Sequence, residues 1–440
     1  MSYDFIIAGG GSSACVAATR LVRDHGAKVL MIERGPADTA SIMKMPAGYL
    51  KYLAREDFLE MHKTTPQEQL GGRAPIIPQA NVLGGGSSVN AMVYMRGQRE
   101  DYNGWDELLG GTSGFSYDNM LPHFRAMERN TRLNNAYHGV EGSLWVSDPG
   151  HLAEMAEAFM LAVQGRGIPF TPDFNGATQA GVGVMQHTIG RHRRSDAVHS
   201  FLAQVKDNPN LDIITDALVT KIIFEGTTAV GVEYVQNAHV RGARASQEVL
   251  VATGTYNTAK LLMLSGIGPA DHLGEHHIPI VVDLPGVGQN LQDHHEVPVI
   301  ARTVPGVGYF GEDRGWSMIR NGLQFLAFRT GPVTTTGIET CAFYDPDGGE
   351  RPIIQLYCAP IVYLDRDLTD QKPTHGVTLT SCLLRPKARG SVRLASNNPA
   401  DKPLVDCRFF GDPEDLRLTL KALRFAREVL ATAPAALLVK

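Results

Sequence analysis

The first 33 residues hold the pattern that most constrains the fold. Residues 5–8 form an apolar run without alternation, which is typical of a parallel strand buried on both faces. Three glycines follow at residues 9–11, and from Ser12 the apolar residues recur at helical spacing. Residues 28–32 form a second apolar run that ends at Glu33. This order of strand, glycine turn, helix and strand predicts a βαβ unit at the start of an α/β protein.

The glycine turn has the Gly-x-Gly-x-x-Ala spacing of a dinucleotide-binding loop. Gly9 permits the tight turn, Gly11 lets the backbone approach a pyrophosphate, and Ala14 allows the helix to pack closely on the strand. Glu33 stands at the end of the second run, where a carboxylate accepts hydrogen bonds from ribose hydroxyls. A carboxylate at this position disfavours the 2′-phosphate of NADP. A purely structural glycine turn is the alternative interpretation.

A second glycine cluster occupies residues 84–86 and is followed by Ser87 and Ser88. Such a segment offers a concave row of backbone N–H groups with almost no side-chain bulk, which suits contact with phosphates or a flat ring. A flexible loop would also contain glycine and serine. It would not account for the flanking Leu83 and Asn90, so a binding segment is favoured.

The charge and cysteine content bound the class of protein. The 440 residues include 41 Lys and Arg against 46 Asp and Glu, a net charge of −5, and the basic residues are scattered. Nucleic-acid grooves and anionic membrane surfaces need clustered positive charge, so neither partner is expected. No run reaches the ~18 apolar residues of a membrane span, and Met1 leads straight into a strand, which leaves no room for a signal peptide. Five cysteines without close pairs favour a reduced, cytoplasmic protein.

Two longer segments resemble the signatures of the glucose–methanol–choline (GMC) family of FAD-dependent alcohol oxidoreductases. The first covers residues 80–90 and continues through Tyr94 and Gly97. The second is matched by Gly254, Thr255, Thr258, Leu261, Leu262 and residues 265–268. Further matching segments, in family order, are residues 194–195, 283–294 and 384–390. Ala259 departs from the family, which usually has Pro or Ser at that position.

The resemblance implies FAD as the cofactor, held without a covalent bond. Relatives that attach the flavin covalently use a histidine just before the signature asparagine, and this chain has Val89 there. The resemblance assigns the adenine-side contacts to Ser12, Ser13, Glu33, Arg34 and the backbone of Val219. It assigns the pyrophosphate and flavin contacts to Val82, Gly85, Gly86, Asn90, Ala91, Met92 and Val93.

The fold class that follows is α/β, with a Rossmann-like FAD-binding lobe and a second, α+β substrate lobe built on an antiparallel sheet. We expect the FAD-binding lobe at residues 1–155 and 185–300, a substrate-lobe excursion at 156–184, and the substrate lobe at 301–440. Alternating runs at residues 219–224 and 229–235 predict a hairpin. By the resemblance, the strand-like runs at residues 353–357, 377–384 and 391–394 belong to the antiparallel sheet.

The activity that the resemblance implies is oxidation of a small primary or secondary alcohol to an aldehyde or ketone by hydride transfer to the flavin. Oxygen or a soluble electron acceptor would then reoxidise the flavin. In this family the base is a histidine in a C-terminal segment, paired with a second histidine or an asparagine. No histidine follows His375, so we expect the chain to end before that segment and the base to lie outside it, for instance on a second polypeptide. The sequence therefore assigns no catalytic residue within the chain.

Three other functions stay open. The first is a non-catalytic subunit or truncated form that needs a second polypeptide to complete the site. The second is a flavin-containing, hydroxynitrile-lyase-like enzyme. A nicotinamide dehydrogenase is the third, but it uses only the first glycine motif and leaves the second unexplained.

Two stretches of the sequence are rich in histidine. His294, His295 and Glu296 are neighbours in sequence, and adjacent side chains point apart, so no metal site is expected. His187, His192 and His199 lie close in sequence to Arg191, Arg193 and Arg194. We interpret that stretch as a polar surface cluster in which one arginine holds a phosphate or a carboxylate.

Overall fold

The computed structural model describes residues 2–52, 56–363 and 374–440. Its strands are β1 (Ser2–Ala8), β2 (Val29–Ile32), β3 (Leu59–Lys63), β4 (Ile76–Ala80), β5 (Glu128–Asn130), β6 (Leu144–Val146), β7 (Gly181–Val184), β8 (Ile189–Gly190), β9 (Arg193–Arg194), β10 (Leu211–Ile214), β11 (Ala217–Glu225), β12 (Thr228–Gln236), β13 (His239–Val251), β14 (Ile267–Gly268), β15 (Val282–Asp283), β16 (Glu296–Arg302), β17 (Thr340–Tyr344), β18 (Ile354–Ala359), β19 (Gly376–Leu383), β20 (Ser391–Arg393) and β21 (Leu404–Asp406).

Its α-helices are α1 (Ser12–His25), α2 (Tyr49–Tyr52), α3 (Gly86–Val89), α4 (Arg99–Leu108), α5 (Tyr117–Met127), α6 (Glu154–Gly165), α7 (Ala197–Ser200), α8 (Thr255–Leu264), α9 (Ala270–Glu275), α10 (Gly315–Phe328), α11 (Pro413–Leu430) and α12 (Ala435–Leu438). Short 3₁₀ helices lie at Ser41–Lys44, Pro46–Gly48, Glu68–Leu70, Leu202–Gln204 and Pro332–Thr334. Among the described residues, no helix has both the length and the apolar character needed to cross a membrane.

The first sheet, counted over the described residues, has six strands in the order β10-β2-β1-β13-β12-β11. The strands from β10 to β13 are parallel, and β12 and β11 continue the sheet in antiparallel fashion. Because β1 lies between β2 and β13, the carboxyl ends of these strands form a crevice at a topological switch point. The predicted βαβ unit is confirmed as β1-α1-β2, and the predicted hairpin is confirmed as β11-β12.

Both faces of β1 are buried. Ile7 packs against α1, in one core cluster with Ala14. Ile6 lies on the opposite face, in a second cluster with Leu30 of β2 and Val232 of the β11-β12 hairpin. Burial on both sides explains why the apolar run at the start of the sequence shows no alternation.

The second sheet has five antiparallel strands within the described ranges, in the order β16-β19-β18-β17-β7. On one face, Leu356 and Leu379 pack with Phe159 of α6 and Val429 of α11. Because successive side chains of a strand point to opposite faces, Tyr357 of β18 points the other way and borders a cavity. The sheet therefore separates a helical layer from the cavity.

One of the strand-like runs expected in this sheet lies elsewhere. Two of the runs correspond to β18 and β19, which the sheet contains. The run at residues 391–394 corresponds to β20, which pairs with β21 in a separate ribbon, so that prediction was wrong. The physical reason is the burial of Val392, which packs with Tyr256 and Val405 in another core cluster. The apolar side chain of Val392 is buried by that cluster, so the strand does not need to join the antiparallel sheet to bury it.

Candidate functional site

The two glycine clusters meet at the carboxyl end of β1. The Gly84 N–H donates to the Gly10 carbonyl oxygen at 2.7 Å, and the Ser12 hydroxyl donates to the Gly84 carbonyl oxygen at 3.2 Å. The Ser87 N–H donates in turn to the Ser12 hydroxyl oxygen at 3.3 Å. Segments 72 residues apart in the chain thus form one surface of backbone groups. We call residues 82–93 the second glycine segment.

Glycine is needed in these loops for two different reasons. Gly9 has a φ of +97°, and a Cβ atom there would lie 2.4 Å from the Ala252 carbonyl oxygen, so the fold itself excludes a side chain. Gly11 has a φ of −71°, and its Cβ would come no closer than 3.7 Å to any atom beyond its chain neighbours. A Cβ at Gly86 would likewise meet nothing within 4 Å. The missing side chains of Gly11 and Gly86 therefore leave space for a ligand.

These loops border a cavity of about 700 Å³ at the switch point, which we call the glycine cavity. The expected cofactor residues that line it are Gly9, Gly11, Ser12, Ser13, Glu33, Arg34, Val82, Gly85, Gly86 and Val219. Residues 251–258, at the end of β13 and the start of α8, also line it, although the family resemblance assigns them no cofactor contact. The volume and the polar backbone lining suit a dinucleotide-sized ligand.

Glu33 lies inside this cavity at the end of β2. One carboxylate oxygen accepts the Gly10 N–H at 2.6 Å, and the other accepts the Gly35 N–H at 2.7 Å. Burial raises the pKa of this carboxyl group, and the two N–H donors oppose that shift. Because a carboxylate offers about four lone-pair positions, each oxygen keeps the capacity to accept a further donor such as a ribose hydroxyl.

Arg34 is fixed in the wall of the glycine cavity by two partners. Its guanidinium contacts the Glu60 carboxylate at 2.7 Å, and its Nε donates to the Asn81 side-chain oxygen at 2.9 Å. Burial alone would raise the pKa of Glu60, but hydrogen bonds from His62 and Arg34 hold that pKa well below its usual range. The ionised Glu60 in turn keeps Arg34 in one orientation at the edge of the cavity.

Arg194 holds the second glycine segment from the protein interior. Its buried guanidinium donates to the carbonyl oxygens of Met43, Ser87 and Asn90 and to the side-chain oxygen of Asn90, at 2.7–3.0 Å. His187 is also fully buried. The interpretation of this stretch as a polar surface cluster is therefore wrong for Arg194 and His187. The carbonyl groups that bind Arg194 come together only when the chain folds.

Three of the expected cofactor residues, Ala14, Asn90 and Met92, line neither of the two large cavities. Ala14 is buried between α1 and β1. The Asn90 side-chain oxygen accepts the Met92 N–H at 3.0 Å, and Met92 is fully buried with a φ of +60°. Ala14 therefore packs the helix on the strand, and Asn90 and Met92 shape the loop without lining either cavity.

The second glycine segment continues from the glycine cavity to another cavity of about 700 Å³, the sheet cavity. Ala91 and Val93, which were expected near the flavin, line this cavity. The facing wall consists of Phe343, Gln355 and Tyr357 from β17 and β18. One stretch of backbone therefore borders both cavities in succession.

Two acidic residues line the sheet cavity, and no histidine of the described residues does. The Glu296 carboxylate accepts the Tyr357 hydroxyl at 3.0 Å, and burial together with Glu296 raises the pKa of Tyr357. Asp101 accepts the Gln98 N–H and the Arg351 guanidinium, each at 2.7 Å. Asp101 is thus bound on both oxygens, whereas Glu296 is exposed at the start of β16.

The neighbouring histidine is turned away from this cavity. His295 is buried, and its Nε2 lies 2.6 Å from the Thr419 hydroxyl oxygen of α11. Burial lowers the pKa of His295 to about 4, so the ring is neutral at physiological pH. His295 and Glu296 therefore point to different partners and do not converge on one ligand.

A buried ionic network next to the sheet cavity was not foreseen from the sequence. Arg96 lines the cavity and contacts the Glu128 carboxylate at 2.5 Å. His138 contacts Glu128 at 2.8 Å and Asp173 at 3.0 Å. Burial would lower the pKa of His138, but the hydrogen bonds to Asp173 and Glu128 raise it overall. These residues share no spacing in the sequence that would have indicated the network.

Family models and individual relatives of known activity all point to the same family. Family models described as GMC oxidoreductase match residues 3–296 and residues 386–439. An alcohol dehydrogenase (acceptor) of Pseudomonas putida is 39% identical over 436 residues, which cover 97% of this chain and 78% of that protein. An oxygen-dependent choline dehydrogenase of Brucella anthropi is 36% identical over 434 residues, with 98% and 78% covered.

A solved structure shares the fold as well. The FAD-dependent oxidoreductase from Chaetomium thermophilum matches with a TM-score of 0.88 at 26% identity, over 99% of this chain and 83% of that one. The open space beside Gly11 and Gly86 and the free acceptor capacity of Glu33 fit a dinucleotide such as FAD. The chain is therefore a member of the GMC oxidoreductase family, an oxidoreductase whose cofactor is FAD.

Proposed function

We propose that the chain binds FAD along the second glycine segment and oxidises a small primary or secondary alcohol to an aldehyde or ketone. The observation that carries this proposal is the position of that segment, with Val82, Gly85 and Gly86 on the glycine cavity and Ala91 and Val93 on the sheet cavity. The pyrophosphate end and the ring end of one ligand would thus follow a single backbone. Bound FAD would accept the hydride and pass the electrons to oxygen or a soluble acceptor.

The protein's own residues would hold the cofactor in the following way. Glu33 accepts ribose hydroxyls, the bare backbone at Gly11 and Gly86 admits the pyrophosphate, and Asn90 and Met92 keep the segment in shape. The adenine side would be contacted by Ser12, Ser13, Arg34 and the backbone of Val219. We also propose that the flavin is held without a covalent bond, because the position before Asn90 is Val89, a buried apolar side chain.

The alcohol must also lose a proton, and we propose that the accepting base comes from polypeptide outside these 440 residues. The supporting observation is the lining of the sheet cavity, in which the described residues include no histidine. Asp101 is an unsuitable base because Gln98 and Arg351 already bind its two oxygens, and Glu296 already accepts the Tyr357 hydroxyl. A second polypeptide is one source of the missing base.

The test is anaerobic reduction of the FAD-loaded chain by a panel of alcohols, read as loss of flavin absorbance. We expect flavin to bind and to be released by acid precipitation, with bleaching only in preparations whose intact mass reveals additional polypeptide. A chain that binds no flavin contradicts the whole proposal, and bleaching of the 440-residue chain alone contradicts the external base. Cleavage of a cyanohydrin without bleaching would assign the site to a lyase instead.

A choline-like alcohol is a second candidate for the substrate, favoured by Glu296. This carboxylate lines the sheet cavity together with the aromatic residues Tyr49, Phe343 and Tyr357. A carboxylate beside aromatic rings suits a quaternary ammonium group.

The matched test compares choline with 3,3-dimethylbutanol, its uncharged isostere, in the FAD-loaded protein and in Glu296→Gln. We expect the substitution to weaken choline binding about tenfold, about 1.4 kcal/mol, and to leave the isostere unchanged. Flavin absorbance changes on titration report both affinities. An equal loss for the two ligands would show that Glu296 shapes the cavity and does not select charge.

The division of the chain and its location remain proposals. We propose an FAD-binding lobe at residues 1–155 and 185–300 and a substrate lobe at residues 156–184 and 301–440. The last boundary falls inside β16, and a boundary just before Glu296 would keep that strand whole. A cytoplasmic location is supported by the five cysteines, all of which are buried free thiols.

A further inference from the structure

Helix α10 presents a continuous apolar face to solvent. Trp316, Ile319, Leu323 and Leu326 recur at spacings of three and four residues, so their side chains share one side of the helix. Their exposed fractions are 74%, 49%, 59% and 67%, and Phe328 at the end of the helix is 75% exposed. A contiguous exposed patch of large apolar side chains marks an interaction site.

The side of α10 that faces the protein contains a buried polar residue. Asn321 is 3% exposed, and its side-chain amide donates to the Glu312 carbonyl oxygen at 3.0 Å. A surface helix in water normally turns its large apolar residues inward and its polar residues outward. The reversed arrangement in α10 indicates that its outer face meets an apolar medium.

Arg320 is the one charged residue within α10 itself, and the residues at its two ends are also basic. The charged residues between positions 314 and 329 are Arg314, Arg320 and Arg329. Two acids precede the helix: Glu312 contacts Arg320 at 2.8 Å, and Asp313 lies 3.6 Å from Arg314 and 3.7 Å from Lys51. Four cations against two carboxylates leave this region positive, in a chain whose net charge is −5.

We propose that α10 lies in the headgroup region of an anionic lipid bilayer, with its apolar face towards the acyl chains. The helix has 14 residues and is about 21 Å long, too short to cross a hydrocarbon core of ~30 Å, so it lies parallel to the surface. Arginines beside an apolar face complement anionic headgroups. A second copy of the chain fits less well, because a two-fold contact would bring like-charged arginines together.

The position of α10 connects this surface to the candidate site. The 3₁₀ helix Pro332–Thr334 follows α10 closely, and Gly337 and Ile338 after it line the sheet cavity. Contact between α10 and a bilayer would therefore bring one wall of the sheet cavity close to the lipid surface. An apolar alcohol or acceptor dissolved in the lipid would reach the cavity from there.

The test is sedimentation of the FAD-loaded protein with vesicles of phosphatidylglycerol and phosphatidylcholine in equal parts, and with vesicles of phosphatidylcholine alone. The variant carries Leu323→Gln and Leu326→Gln together. The matched control is Leu161→Gln, because Leu161 is 56% exposed on α6, away from this face. We expect the unmodified protein and the control to bind the anionic vesicles, and the double variant to bind at least tenfold more weakly. Binding should weaken with added salt.

Flavin content and thermal unfolding report whether the substitutions disturb the fold. Both quantities should be the same in all three proteins, because exposed positions tolerate glutamine. Failure of the unmodified protein to bind anionic vesicles would overturn the proposal, as would equal binding by the double variant. Light scattering without lipid measures whether the protein forms dimers in solution. A dimer that the double variant abolishes would assign the apolar face to a second copy and overturn the lipid proposal.

Discussion

At the scale of single residues, glycine is needed at two positions of one turn for different reasons. The left-handed φ of Gly9 and its closeness to Ala252 are properties of the folded chain alone. Gly11 has an ordinary φ and open space where its Cβ would be. A side chain at Gly9 thus conflicts with the protein, whereas a side chain at Gly11 would conflict only with the pyrophosphate of the proposed FAD complex.

This difference predicts opposite effects for two small substitutions. Gly11→Ala should change the free energy of unfolding of the flavin-free protein by less than about 0.5 kcal/mol, but weaken FAD binding at least tenfold. Gly9→Ala should destabilise the flavin-free protein by about 1–3 kcal/mol or more, because of the strained φ and the contact with Ala252. Urea unfolding and titration with FAD measure the two quantities. A loss of stability in Gly11→Ala comparable to that in Gly9→Ala would contradict the distinction.

At the scale of elements, the second glycine segment depends on one buried side chain. Arg194→Met would leave the buried Met43 carbonyl oxygen and the part-buried carbonyl oxygens of Ser87 and Asn90 without their donor, at a cost of about 1–3 kcal/mol for a fully buried group and less for a partly exposed one. We expect a loss of at least about 3 kcal/mol in the free energy of unfolding together with weaker FAD binding. Arg193→Met, at the exposed neighbouring position of β9, is the control and should change neither quantity. Similar behaviour of the two variants in urea unfolding and FAD titration would show that Arg194 does not hold the segment.

The same elements show how far the sequence predicts the structure. The units β1-α1-β2 and β11-β12 were predicted because each is specified by local apolar period and a glycine turn. The placement of residues 391–394 in the antiparallel sheet failed because the partner of a short strand is chosen by distant contacts, here those of Val392. Arg194 was misjudged for the same reason, since its charge suggests a surface and only the folded loops supply its acceptors.

At the scale of the whole molecule, average charge is a poor guide to local surfaces. The net charge of −5 and the scattered basic residues argue against an anionic membrane, yet Arg320 lies within the exposed helix α10, and Arg314 and Arg329 stand at its two ends. Conversely, opposite charges that look scattered in sequence come together in the interior, as Arg96, Glu128 and Asp173 do around His138. The hydrogen bonds of His138 to Asp173 and Glu128 make this second arrangement sensitive to pH.

The buried network predicts a specific pH dependence of stability. Burial alone would lower the pKa of His138 in the folded protein. The hydrogen bonds to Asp173 and Glu128 outweigh that effect and raise the pKa. Protonated His138 therefore stabilises the fold fully below its unfolded pKa of about 6.5, and this contribution disappears as pH rises through the higher folded pKa. Each tenfold difference in proton affinity between the two states corresponds to about 1.4 kcal/mol.

The variant His138→Gln isolates this effect from the other groups that titrate near neutrality, because their contributions cancel in the difference between the two proteins. Below pH 6 the unmodified protein should exceed the variant in free energy of unfolding by the largest amount. That difference should shrink steadily from about pH 6.5 upwards, since the neutral ring no longer pairs with both carboxylates. Urea unfolding at half-unit pH steps measures it. Parallel pH profiles for the two proteins would mean that His138 is uncharged in the fold and that Arg96 alone balances Glu128 and Asp173.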